Sequence, residues 1–186
     1  MIVEKTFTVA APQAQVWEFI TSPDKVAACV PGCLGAEETG SDQYKAEIKT
    51  KVGPIKTTFK VEIEATEMRP PEYAAYMSKG EEGSKASRIK ASSTLNLKQI
   101  DAGHTEVTYA SDINIMGRLG KFGSGMMKKV ADSIGDEFVA EMLTQLEQTG
   151  ETQPIAAPAS DKNTVWIAAA IATALVIGLV LVYVLR

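Results

Sequence analysis

The sequence predicts an α+β fold: a seven-stranded antiparallel sheet curled around a long C-terminal helix, followed by a single C-terminal transmembrane helix. Three observations carry that prediction. Between Tyr44 and Ile115 apolar and polar residues alternate with a period of two. From Arg118 to about Thr149 the period changes to 3.6. From Val165 to Leu185 no residue is charged. The chain of 186 residues therefore divides into a domain, 1–149, a flexible linker, 150–164, and a span, 165–185.

Residues 2–9 alternate as a strand, with Val3, Phe7 and Val9 on one face. Pro12 suits a first helical position and opens PQAQVWEFIT, where Val16, Trp17, Phe19 and Ile20 supply an apolar side. Ser22 and Pro23 start a second short helix, SPDKVAAC, which VPGC closes with a turn. Tyr44, Ala46, Ile48, Thr50 and Val52 then alternate with polar residues. Gly53-Pro54 turns the chain, and Ile55, Thr57, Phe59, Val61, Ile63 and Ala65 alternate again. Arg69-Pro70-Pro71 breaks the pattern before a strand through Tyr76 and Met77. Strands through Ile89 to Leu97 and Val107 to Ile115 flank a turn at Asp101-Ala102-Gly103-His104. That makes about six strands after the two helices. The last helix aligns Leu119, Phe122, Met126, Met127, Val130, Ile134, Phe138, Met142 and Leu146 in one stripe. A sheet with an apolar face must be covered, and this helix is the only element long enough to lie across it.

A helix from Val165 to Leu185 would be about 31 Å long, matching the ~30 Å hydrocarbon core of a bilayer. Trp166 and Tyr183 fall near its two ends, where amphipathic rings favour the interfaces. Ala170, Ala174 and Gly178 repeat a small residue every fourth position, which allows close helix pairing and also arises by chance in an Ala-rich span. MIVEKTFTV opens on a strand pattern rather than a secretory signal, so the expected location is the inner membrane, with the domain facing the cytoplasm. ETQPIAAPASDKNT reads as a linker with a root-mean-square reach of ~20 Å. Cys29 and Cys33 fit neither a disulfide framework nor a zinc site and read as free thiols. A net charge of −4 argues against nucleic acid as a partner. Arg118, Lys121, Lys128 and Lys129 cluster at the start of the last helix, either as a solvated face or as a patch for lipid headgroups or an acidic partner.

The element order, with V-G-P-I at a hairpin, resembles the helix-grip fold of the START and polyketide cyclase (SRPBCC) superfamily. Within it, CVPGC, KVGPIKTTFKV and NIMGRLGKFGSGMM resemble the carbon monoxide dehydrogenase G-subunit (CoxG) family over residues 1 to about 146. Gly117, Gly120, Gly123 and Gly125 interrupt the helix start where a more regular one is expected. The resemblance implies a pocket between helix and sheet that holds a lipophilic ligand, with no covalent cofactor. It suggests an isoprenoid quinone, such as menaquinone or ubiquinone. Membrane lipid, that quinone and a cytoplasmic molybdenum hydroxylase of the carbon monoxide dehydrogenase type are the partners it implies.

The residues themselves point to binding rather than catalysis. The sole histidine, His104, sits in a turn, so no Ser-His-Asp set can be assembled, and no metal-ligand spacing appears. Asp112, Asn114 and Glu106 alternate outward. No catalytic residue, no metal and no enzyme activity are expected. Thr50, Thr57, Ala91, Ser93 and Ser111 are small inward residues placed toward the glycine-rich helix start, and they describe an apolar pocket with a few hydroxyls. The other reading of the same residues is a filled core. In the pocket reading Phe59, Phe122, Met126, Met127 and Val130 touch an apolar tail, and Thr57, Ser93 and Ser111 lie near a polar head. A tail of ten methylenes costs about 8 kcal/mol to expose to water, so a tethered pocket would shield it in transit between the membrane quinone pool and the dehydrogenase. The alternatives are an adaptor that only recruits the dehydrogenase to the membrane, a general lipid carrier and a cyclase-like enzyme.

Overall fold

The computed structural model describes residues 1–52 and 55–150. They form β1 (Ile2–Val9), α1 (Gln13–Ile20), α2 (Pro23–Ala28), β2 (Cys33–Gly40), β3 (Gln43–Val52), β4 (Ile55–Arg69), β5 (Tyr73–Glu82), β6 (Ser87–Asp101) and β7 (His104–Gly117). A 3₁₀ turn at Leu119–Phe122 leads into α3 (Ser124–Gly150). Among the described residues no helix is long and apolar enough to cross a membrane. The predicted span at 165–185, the linker beyond Gly150 and the Gly53-Pro54 turn lie outside them.

All seven strands form one antiparallel sheet in the order β1-β7-β6-β5-β4-β3-β2. The sheet and its C-terminal helix match the expected architecture. From β2 onward each strand pairs with the next, whereas β1 returns to the far edge and pairs with β7. The strand that no alternation marked is β2. Its register slips between Cys33 and Gly35 and again between Glu38 and Gly40, and most of its residues are exposed. A period of two cannot survive such interruptions.

One face of the sheet is inward. Tyr44, Ala46 and Ile48 of β3, Phe59, Val61 and Ile63 of β4, and Ile89, Ala91, Leu95 and Leu97 of β6 are all buried. The opposite face carries exposed cross-strand pairs such as Lys60–Glu47 at 3.2 Å and Arg88–Glu81 at 3.0 Å, which contribute solubility more than stability. α1 closes one end of the inner face. Gln13 donates to the Leu97 carbonyl at 2.9 Å, and Thr105 donates to the Ala11 carbonyl at 2.8 Å. α2 packs on β2.

α3 buries Met127, Val130, Ala131, Ile134, Met142 and Leu146, a spacing of three and four that makes a single stripe. Met126 lies at the margin of that arc and is 36 % exposed. The sheet strand nearest to α3 is β1. Lys5 lies against Gly135 and pairs with Asp136 there.

Candidate ligand-binding site

The inner face is mainly apolar but also buries Thr50, Ser78 and Thr105, and two polar places on it stand out. In the middle of the sheet, Ser93 of β6 and Ser111 of β7 stand opposite one another, each 2 % exposed, with their hydroxyls 2.8 Å apart. Tyr109 donates its phenol to Ser93 Oγ at 3.1 Å. Burial pushes the Tyr109 hydroxyl up to about 12, against the opposing influence of Ser111 and Ser93. It is therefore a neutral donor across the physiological range. Three linked hydroxyls on an apolar wall can donate to or accept from a polar head without adding charge.

The second place is the end of the sheet where the chain enters α3. Glu82 of β5 points inward and is 1 % exposed, flanked in the register by Phe59. Arg118 donates to its Oε1. Burial pushes the Glu82 carboxyl up, but the Arg118 guanidinium and the nearby hydroxyls of Ser87 and Ser84 outweigh it and hold the group below its ordinary value. Oε2 has no hydrogen-bond partner among the described residues. The Ser87 hydroxyl accepts from the Leu119 backbone N–H at 3.3 Å, so the same corner anchors the 3₁₀ turn.

The glycines of this corner are of two kinds. Gly117 has φ +87, and a Cβ there would lie 2.1 Å from the Ala86 carbonyl oxygen; at Gly120 a Cβ would lie 2.9 Å from the Ile115 oxygen. Both are required by close backbone approach. Gly123 has φ +81 but open space around it, and Gly125 is likewise unobstructed. The chain is thus pinned at 117–120, whereas positions 123 and 125 have open space for a side chain.

Between the start of β1 and the start of α3 lies a groove of about 580 Å³. It exists because β1 ends its pairing at Ile2 opposite Asp112, with Met1 accepting from Ile113 N at 2.8 Å, while β7 continues to Gly117. Ile113, Ile115, Gly120, Gly123, Ser124 and Met127 are among its lining residues on the α3 side. Lys90, Ser92 and Asn114 line it on the outer face.

The eight residues singled out from sequence fall in several places. Ser93 and Ser111 meet. Met127 and Val130 lie on the buried side of α3, and Met127 reaches the groove. Phe122 is half-buried in the 3₁₀ turn, and Met126 turns outward. Phe59 is fully buried in mid-sheet. Thr57 is half-buried opposite Thr50, at the β3–β4 end of the sheet. The register rows of Phe59, Val61 and Ile63 separate Thr57 from the row of Ser93. The small residues therefore do not form one cluster. Tyr109 and Glu82 were not foreseen. The alternation that places Ser111 inward also places Tyr109 inward, and the run Ala74, Tyr76, Ser78, Gly80 reaches Glu82 by the same count. Asp112 and Asn114 do point outward.

Residues 6–147 match the family profile of the carbon monoxide dehydrogenase G-subunit (CoxG). No curated protein matches the chain. Among solved structures, a conserved protein from Geobacillus kaustophilus is 22 % identical with a TM-score of 0.75, covering 80 % of this chain and 97 % of its own. A START superfamily protein from Mycobacterium smegmatis is 13 % identical with a TM-score of 0.64, over 80 % of this chain and 98 % of its own. The Zhui aromatase/cyclase from Streptomyces sp. R1128 is 20 % identical with a TM-score of 0.61, over 81 % of this chain and 95 % of its own. At these identities the likeness shows a shared START-type fold.

Proposed function

We propose, from the premise that this chain belongs to the carbon monoxide dehydrogenase G-subunit (CoxG) family, that it is a non-catalytic binding protein for an isoprenoid quinone such as menaquinone or ubiquinone. It holds the quinone between α3 and the sheet, and passes it between the membrane pool and a cytoplasmic molybdenum hydroxylase of the carbon monoxide dehydrogenase type. The uncharged run at 165–185 would keep the domain at the inner membrane on its cytoplasmic side.

The observation that carries the reading is the linked hydroxyl trio Tyr109, Ser93 and Ser111 on the mainly apolar inner face. A quinone carbonyl accepts hydrogen bonds and carries no charge, which suits neutral donors better than ion pairs. The groove at the glycine-rich corner, which the buried Met127 lines, would serve as the entry. Lipid extraction of detergent-free domain 1–150, followed by mass spectrometry, is expected to yield about one quinone per chain. Absence of any stoichiometric apolar compound overturns the carrier reading.

One observation favours a second reading, an adaptor that only recruits the dehydrogenase. Phe59, Ser93, Ser111, Met127 and Val130 are each 3 % exposed or less, as in a core filled by its own side chains. Truncation at Gly150 separates the two. An adaptor domain binds no quinone after truncation, whereas a carrier domain still does.

A further inference from the structure

The rim of the groove has a composition unlike the rest of the surface. Among the described residues six large apolar side chains are exposed: Ile2, Leu34, Met77, Ile100, Met116 and Met126. Four of them line this groove or are next in sequence to a residue that does. Met77 lines it, Ile2 follows the lining residue Met1, Met116 follows Ile115, and Met126 precedes Met127. Methionine adapts its shape to an irregular apolar medium better than a branched side chain does.

The segment that leads into α3 carries charge of one sign. In a chain of net charge −4, the segment between Asp112 and Asp132 contains Arg118, Lys121, Lys128 and Lys129 and no acidic residue. Arg118 is paired with Glu82, and Lys128 with Asp132 at 3.1 Å. Lys121 and Lys129 are exposed and make no ion pair among the described residues. Lys90, exposed on the groove wall, makes none either. Asp112, the acidic residue of the wall, is matched by the Met1 amino group at 3.4 Å.

We propose that this rim, with Ile2, Met77, Met116 and Met126 as its apolar part and Lys90, Lys121 and Lys129 as its cationic part, docks on an anionic lipid bilayer with the groove facing the membrane. Exposed apolar side chains between unpaired lysines match an interface of acyl chains beneath negative headgroups. The inference rests on the proposed carrier function only in its purpose, since docking needs no ligand. The geometry of the chain permits it. The rim lies at the N-terminal end of α3, whose 27 residues span about 40 Å. The stretch from Gly150 to Val165 reaches up to about 50 Å when extended, so a span anchored beyond it would not prevent contact.

The test places the full chain in nanodiscs of phosphatidylcholine with or without phosphatidylglycerol and follows amide hydrogen exchange over residues 113–130. Protection of this segment is expected in the anionic discs alone, and it is lost at 0.5 M salt, where screening acts within a few ångströms. Each lysine near an anionic surface is worth about fivefold in the docked ratio, so Lys121→Ala with Lys129→Ala is expected to lower it about 25-fold. The partial variant Met126→Ser should weaken docking without affecting the fold, because that side chain is exposed. Equal exchange in both discs overturns the proposal, as does unchanged protection in the double lysine variant. Protection by inorganic phosphate alone, or only on addition of a dehydrogenase, also overturns it, in favour of an anion site or a protein interface. Mass spectrometry of bound quinone is read separately, so failure of docking and failure of the carrier reading are distinguished.

Discussion

Glu82 is a buried carboxylate held by an arginine whose own side chain is 43 % exposed. Its folded value lies below the ordinary 4.5, so the stability it contributes is present above that pH and is lost as pH falls through the folded value. Arg118→Ala removes both the hydrogen bond and the charge that lower the Glu82 carboxyl, leaving burial opposed only by the hydroxyls of Ser87 and Ser84. The variant is expected to lose about 2–4 kcal/mol at pH 7 and markedly less near pH 4, where a protonated Glu82 needs no partner. Urea titrations at the two pH values check this; a loss independent of pH would mean that Arg118 acts through packing alone. The glycines of the same corner give a graded series. Gly117→Ala meets backbone at 2.1 Å in a left-handed conformation and should cost at least 3 kcal/mol, on the order of a severe backbone clash. Gly123→Ala has the unfavourable φ without the clash and should cost about 1–2 kcal/mol. Gly125→Ala has neither and should stabilise α3 by about 0.5–1 kcal/mol. Thermal melts of the three order them. At the hydroxyl trio, Tyr109→Phe removes a donor while keeping the ring, and is expected to weaken quinone binding about tenfold with little effect on folding.

Elements whose periodicity is uninterrupted were legible in the sequence. α3 was, because its buried residues recur at three and four over 20 positions from Met127 to Leu146 with charged residues opposite. β3, β4, β6 and β7 were, because one face meets the core and the other meets water. β2 was not, since two register slips break its alternation, and a strand at the sheet edge with mostly exposed residues carries little apolar signal. The site was less legible than the fold for a related reason. Alternation says which residues face inward but not which rows they share, and rows are set by the hairpin registers. Ser93 and Ser111 meet because β6 pairs with β7 in one particular register, whereas Thr57, equally small and inward, is carried to another part of the sheet. The stripe of α3 gives an element-scale prediction. Ile134→Ala and Met142→Ala should each cost about 2–5 kcal/mol, and Met126→Ala close to nothing, by chemical denaturation.

At the scale of the whole molecule, α3 makes its main sheet contact with β1, and the groove between the starts of β1 and α3 lies beside the glycine-rich, lysine-bearing entry to that helix. A ligand that enters through this groove would load and unload at that corner. Cross-linking 123–125 to the adjacent end of β1 should therefore slow quinone exchange at least tenfold while leaving the amount bound unchanged, as followed by stopped-flow mixing with quinone-loaded vesicles. The strand order has a further consequence, for synthesis. Ile2 pairs with Asp112, so β1 leaves the ribosome more than a hundred residues before its partner exists. At about 5–20 residues per second that interval is roughly 5–20 s, during which the five strands β2 to β6 can zip together from successive hairpins. The waiting β1 meanwhile offers an unsatisfied strand to any chaperone within reach, and a message lacking its codons would leave β7 as a bare, aggregation-prone border.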